Sequence, residues 1–245
     1  MNTTGFVFNL NSHRPDTLRA FYRDVIGLKP NPDMGEGALM AATTPFLIDG
    51  HSDVNGLSKE PARTITNFLV DDVDKEQARL EAAGVRFLGT PSAQQISFST
   101  FVDPDGNFGQ IFSMSGTPSG TEMFAIARPS GDPDRLRAFY RDVVGLPEGP
   151  PDLGSPLAAG GASIYIAPHS EVQGPAKEPA RVMLNLFVND LASEQKRIEG
   201  HGVKFLRSAG REYWGGVIST FVDPDGSYAQ LIEFRPQEAQ QEGAA

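Results

Sequence analysis

The sequence predicts an α+β protein made of two similar domains in tandem, and three repeated markers carry that reading. The stretch Leu18 to Val25 reads Leu-Arg-Ala-Phe-Tyr-Arg-Asp-Val and returns letter for letter at Leu136 to Val143. Lys59 to Arg63 returns at 177–181 and Ser99 to Gly106 at 219–226, so the offset of 118 (18 to 136, 59 to 177) grows only to 120 (99 to 219). That period exceeds the roughly 20 to 50 residues of a solenoid unit and matches a domain of ordinary size. The expected domains are 1–116 and 117–245, joined through the Ser-, Gly-, Thr- and Pro-rich stretch Ser113 to Gly120.

Within each copy the apolar period alternates between that of a strand and that of a helix, twice. Phe6, Phe8 and Leu10 alternate with Val7, Asn9 and Asn11, which predicts a strand with one face on the core. Leu18, Phe21, Tyr22 and Val25 then fall at i, i+3, i+4 and i+7, one stripe of an amphipathic helix, with Pro15 near its start and Gly27 as C-cap. In the second copy Asp132 stands where it can cap the helix that Pro133 opens. Short apolar segments follow at Ala38 to Ala42 and Phe46 to Asp49. The second pass opens with a strand at Thr66 to Val70 and a helix over about Val73 to Ala83, closed by Gly84. Strands are then expected near Val85 to Leu88, Ser97 to Val102 and Phe108 to Met114, the last two joined by the turn Asp103-Pro104-Asp105-Gly106.

Composition narrows the function. Thirty-one acids against 21 bases give a formal net charge of −10, with no Lys/Arg cluster to hold phosphates or an anionic membrane, so nucleic acid is set aside. No stretch approaches the roughly 20 apolar residues of a membrane span, and the first residues carry no basic, apolar leader; cytoplasmic residence is the expectation. The absence of cysteine removes disulfides and thiolate ligands or nucleophiles. The tail 237–245 has nothing to bury and is expected to be disordered.

Three motifs then carry a family resemblance: Phe21 to Leu28, the junction Phe68 to Asp74 with Ala82-Ala83-Gly84-Val85, and Asp103 to Asn107, with counterparts from Phe139, Phe187 and Asp223. Each copy resembles a domain of the vicinal oxygen chelate superfamily, which includes glyoxalase I, bleomycin-resistance proteins and extradiol dioxygenases. The resemblance implies four βαβββ modules forming two cup-shaped, eight-stranded mixed sheets with flanking helices, each cup holding a ligand. In its enzymes a divalent metal sits in the cup on a His of the first strand, an acid of the fourth, a His or Gln opening the second module and a Glu after the Asp-Pro-Asp-Gly turn. Carried over, these positions fall on Val7, Leu47 or Ile48, Ile65 and Gln110, and in the second copy on Phe124 or Ala125, Tyr165 or Ile166, Met183 and Gln230. One neutral amide per copy is no Zn, Fe or Ni site, so no metal and no cofactor is expected.

The expected function is metal-independent binding of a hydrophobic or aromatic metabolite or antibiotic. Stepping by two along each strand places Asn9, Asn67 and Gln110 in the first cup and Asn185 and Gln230 in the second. Tyr213 and Trp214, where the first copy has Ala93-Gln94-Gln95, add an aromatic pair suited to stacking on a planar ligand. The other reading of these amides is a filled core in which they satisfy one another or the backbone. The alternative function is enzymatic: a divalent-metal lyase or dioxygenase, or a cofactor-free isomerase using His51, His169 or Glu212 as acid or base. Against it, His51 and His169 sit in a repeated polar loop where capping is an ordinary role, and Glu60 to Arg63 reads as an ion pair at the module crossover. A small-molecule ligand is the expected partner, with the chain a monomer containing an internal pseudo-dimer, or a homodimer.

Overall fold

The computed structural model describes residues 3–35, 37–90 and 96–234; the stretch Ala93 to Gln95 and the tail 237–245 lie outside them. The first module contains β1 (Thr3–Ser12), α1 (Pro15–Ala20), β2 (Lys29–Pro30), β3 (Ala38–Ala41) and β4 (Thr44–Gly50). The second contains β5 (Ile65–Leu69), α2 (Val73–Ala82), β6 (Arg86–Phe87), β7 (Ile96–Val102) and β8 (Phe108–Met114). The third has β9 (Phe124–Ala127), α3 (Pro133–Ala138), β10 (Leu157–Ala159) and β11 (Ala162–Tyr165); the fourth has β12 (Val182–Val188), α4 (Leu191–Glu199), β13 (Phe205–Arg211), β14 (Val217–Val222) and β15 (Tyr228–Glu233).

These strands form two mixed sheets that each combine one module from either repeat. The first runs β13-β14-β15-β12-β1-β4-β3-β2 and the second β10-β11-β9-β5-β8-β7-β6. At their centres β1 lies antiparallel to β12 and β5 antiparallel to β9. The joint explains the second pairing: after β8 the chain turns through Gly116 and Gly120 and enters β9 beside β5. Asp71 holds this turn, accepting from Ser119 Oγ and from the Gly120 amide at 2.9 Å. The second sheet has seven strands rather than the expected eight among the described residues. The counterpart of β2 is reduced to a single bridge from Glu148 to Leu157, in a segment where Pro147, Pro150 and Pro151 remove backbone donors.

Local signals account for the helices. Asp72 accepts from the Lys75 amide at 3.0 Å, Asp132 from Arg135 at 3.2 Å and Asp190 from Ser193 at 3.0 Å, each relieving an orphan donor of the first turn. The first and third helices differ from expectation. Each makes a short α-helical stretch and continues as a π-turn, Phe21–Ile26 and Phe139–Val144, before Gly27 and Gly145 close it at φ +94° and +91°. The wider turn keeps Leu18 and Tyr22 fully buried while Phe21 and Val25 pack at the margin.

One core joins the two sheets. Phe8 and Phe46 of the first stand 5.6 and 5.8 Å from Phe124 of the second, and Phe68 lies 5.4 Å from the same ring. Aromatic groups of this size each remove a large apolar area from water when buried.

A reciprocal ionic lock ties the repeats together. Arg63 pairs with Glu60 at 2.8 Å, as expected at the crossover, but also donates to the Gly174 carbonyl at 3.0 Å and approaches Asp225 of the other repeat at 3.8 Å. Arg181 mirrors it, with Glu178 at 2.7 Å, the Gly56 carbonyl at 2.9 Å and Asp105 at 4.0 Å. Ser12 and His13 add contacts to Asp105 at 2.6 and 3.5 Å. Because Arg63, Arg181 and Asp105 are almost wholly buried, they fix the relative placement of the halves more than exposed pairs could. No helix is long and apolar enough to cross a membrane among the described residues.

Candidate functional site

Strand register defines the two cup faces. In the first sheet Val7 faces Asn185, Asn9 faces Met183 and Leu47, and Asn185 faces Gln230. In the second, Asn67 faces Ala125 and Gln110, Ile65 faces Ala127, and Ala127 faces Tyr165. Paired residues share a face, so the sequence alternatives resolve to Leu47, Ala125 and Tyr165, while Ile48 and Phe124 are core.

The grouping of the amides differs from the expectation because each cup draws on both repeats. Asn9 joins Asn185 and Gln230 in the first sheet, and Asn67 and Gln110 stand together in the second. The second cup is open, with a cavity of about 790 Å³. Its floor is Asn67, Gln110, Ala125 and Ala127; Phe98, Phe112 and Tyr165 form apolar walls. The joint between repeats supplies one side through Ser115 to Pro118, and the turn at Pro151–Leu153 supplies another through Asp152 and Leu153. Sequence reasoning named Asn67 and Gln110 but missed the two alanines, the rings, the joint and Asp152 as lining residues. The signal was present in Phe124-Ala125-Ile126-Ala127, where large and small residues alternate and the small ones face the cup.

The first cup is closed at its floor. Asn9 and Asn185 are buried where their counterparts Ala127 and Asn67 are partly exposed, and β1 is covered on both faces rather than one. Gln230 donates to Thr220 Oγ1 at 3.2 Å, as Gln110 does to Thr100 at 2.9 Å. Tyr213 and Trp214 lie on the loop between β13 and β14, away from the open cavity. Tyr213 is 94% exposed, and Trp214 stacks on Phe234 with ring centroids 6.4 Å apart.

The acid–base candidates make contacts close to themselves in the chain. His51 Nδ1 accepts from the Asp53 amide at 3.1 Å and His169 Nδ1 from Glu171 at 3.2 Å, each closing its own loop. Glu212 pairs with Arg207. None of the three lines the cavity.

The most perturbed acids lie instead at the repeated turns. Burial, opposed by bonds from Asn107, pushes the Asp103 carboxyl up to about 6; Tyr22 donates to it at 3.2 Å. Its counterpart Asp223 is also raised by burial, but Arg128, 2% exposed and 2.8 Å away, pulls it back down. These acids face the core and hold their turns: Asp103 Oδ1 accepts from the amides of Asp105 and Asn107, both at 2.9 Å.

The superfamily's metal does not fit these walls. The four family positions carry Val7, Leu47, Met183 and Gln230 in one cup and Ala125, Tyr165, Ile65 and Gln110 in the other, a set with no imidazole or carboxylate. Among the described residues no three His, Asp or Glu side chains converge.

Comparison with known proteins gives the lineage. No curated protein matches the chain in sequence. Glyoxalase I from Zea mays superposes with a TM-score of 0.66 at 17% identity, covering 94% of this chain and 92% of its own. Its V278E mutant gives 0.67 at 18% identity over 94% and 92%. At such identity the likeness speaks for the fold alone. The sequence profile of the Glyoxalase/Bleomycin resistance protein/Dioxygenase superfamily matches residues 7–111 and 123–231, and the chain belongs to that superfamily.

Proposed function

We propose that this chain is a metal-independent binding protein that holds one hydrophobic or aromatic organic molecule per chain in the cup of the second sheet. The observation that carries the reading is the cavity of about 790 Å³ over a floor of two alanines and two amides. Sites of roughly 300 to 1,000 Å³, mostly apolar with a few placed polar groups, are the usual form of a small-molecule site. A wall without charged or imidazole donors suits such a ligand better than a Lewis-acid centre. Because both repeats build the cup, neither domain alone completes it. The same exchange of modules within one chain supports a monomer, and the acidic surface supports a small-molecule rather than a nucleic-acid partner in the cytoplasm.

The test is calorimetry on full-length, chelator-treated protein against a panel of hydrophobic metabolites and antibiotics, with elemental analysis of the protein as purified. Saturable binding at one ligand per chain, unchanged by chelation, is the expected result. A tightly held stoichiometric metal on which binding depends would overturn the reading in favour of a lyase or oxygenase.

A further inference from the structure

We infer that the ligand of the open cup is a hydrophobic nitrogen base, protonated at neutral pH, that presents N–H donors to the floor and mouth of the cavity and its apolar body to the rings. This deepens the binding reading above and rests on it. The argument comes from which hydrogen-bonding atoms the protein has already used. Asn67 Nδ2 donates to the Ile65 carbonyl at 2.9 Å and lies 3.5 Å from the Ala125 carbonyl. Both partners are acceptors, so chemistry fixes the amide's orientation: the flipped form would set oxygen against oxygen. The atom left for a ligand is Oδ1, an acceptor. Gln110 pairs with Thr100 Oγ1 at 2.9 Å, a hydroxyl that can accept or donate, so Gln110 can offer either end of its amide to a ligand.

At the mouth stands Asp152, an exposed carboxylate on the one-turn segment Pro151–Leu153. Of the described lining residues none is Lys, Arg or His. The side-chain atoms whose role chemistry fixes, Asn67 Oδ1 and the Asp152 carboxylate, therefore accept and do not donate; Gln110 and hydroxyls such as that of Tyr165 can do either. A carboxylate or phosphate ligand would face oxygen lone pairs at the floor and a negative group at the entrance, in a chain of net charge −10. A protonated amine reverses each of these signs. The rings of Phe98, Phe112 and Tyr165 add faces on which a cation is attracted and a flat body stacks.

Three probes sharing one body separate the possibilities: 2-naphthylmethylamine, 2-naphthylmethanol and 2-naphthoate, titrated calorimetrically into the chelator-treated full-length chain at neutral pH. The amine is expected to bind about tenfold tighter than the carboxylate, with the alcohol between them. Asp152→Asn is expected to weaken the amine about threefold and leave the alcohol unchanged, since an exposed carboxylate contributes modestly. A125V/A127N, which narrows the floor, should weaken all three and so locates binding in this cup. If the carboxylate binds as tightly as the amine, or D152N leaves the amine unaffected, the nitrogen-base assignment fails while the binding reading stands. Silence from all three probes overturns the assignment too, and silence across the broad panel as well overturns the binding reading.

Discussion

The two cups follow one plan, yet one is closed at its floor and the other open, and a few cup-face positions separate them. Where the first sheet has Val7, Asn9 and Met183, the second has Ala125, Ala127 and Ile65. On the opposite face the same strands keep their bulk: Phe6 and Phe124, Phe101 and Phe221, Ile111 and Leu231 are all buried. Core-face volume is constrained because any lost methylene leaves a cavity, whereas a cup face can be emptied without disturbing the packing beneath it. A duplicated fold can thus keep its scaffold in both halves while its two cup faces diverge.

The sharpest difference within the core is Arg128, which stands where the first repeat has Leu10. Replacing it by the first repeat's residue, Arg128→Leu, leaves Asp223 buried without its cation. A loss of about 3–5 kcal/mol in unfolding free energy is expected from denaturant titration. Adding D223N should recover part of that loss; a single variant as stable as the parent would show that the pair contributes nothing.

Asp103 lacks such a cation, and its carboxyl is raised to about 6 against about 4 in the unfolded chain. With the folded value the higher, this group's stabilising contribution is full below about pH 4 and is lost as pH rises through about 6. Over that window it amounts to about 3 kcal/mol. The wild-type stability profile minus that of D103N should therefore fall between pH 4 and pH 7. A flat difference would mean that Asp103 titrates normally.

Exchanging the floors tests the cup comparison directly. V7A/N9A should destabilise the chain by about 2 kcal/mol, because the Val7 methyls and the Asn9 carboxamide leave a void in a covered floor. A125V/A127N should change stability by under about 1 kcal/mol, because its added atoms enter open space, while lowering ligand affinity about tenfold. Equal stability effects from the two exchanges would show that the cups are packed alike.

Much of this was legible in the sequence, and the reasons for the gaps are physical. Repeats, period changes and caps located the modules, because Asp132, Gly27 and the Asp103 to Gly106 turn act within a few residues of themselves. Module pairing is a long-range choice: Asn9 meets Asn185 and not Asn67 because β1 pairs with β12, which no local pattern encodes. The π-turns were hidden because Leu18, Phe21, Tyr22 and Val25 fit a 3.6 period as well. The cavity was missed for a related reason. Polar groups such as Asn67 stand out in a sequence, whereas Ala125 and Ala127 create the space by what they lack.

The smallest expected effect concerns the paired histidines. A catalytic base must reach its substrate, yet His51 and His169 turn Nδ1 onto amides two residues ahead and line no part of the open cup. Each bond closes a surface loop, where one exposed hydrogen bond contributes about 0.5 kcal/mol. His51→Ala and His169→Ala should therefore each lower stability by about that amount, with calorimetric affinity for a cup ligand unchanged. The two should also match one another, because the loops are repeats of one geometry and neither feels the difference between the cups. A variant that lost binding while keeping its stability would instead place that imidazole at the ligand, and would return the acid–base reading to the half of the molecule in which it sits.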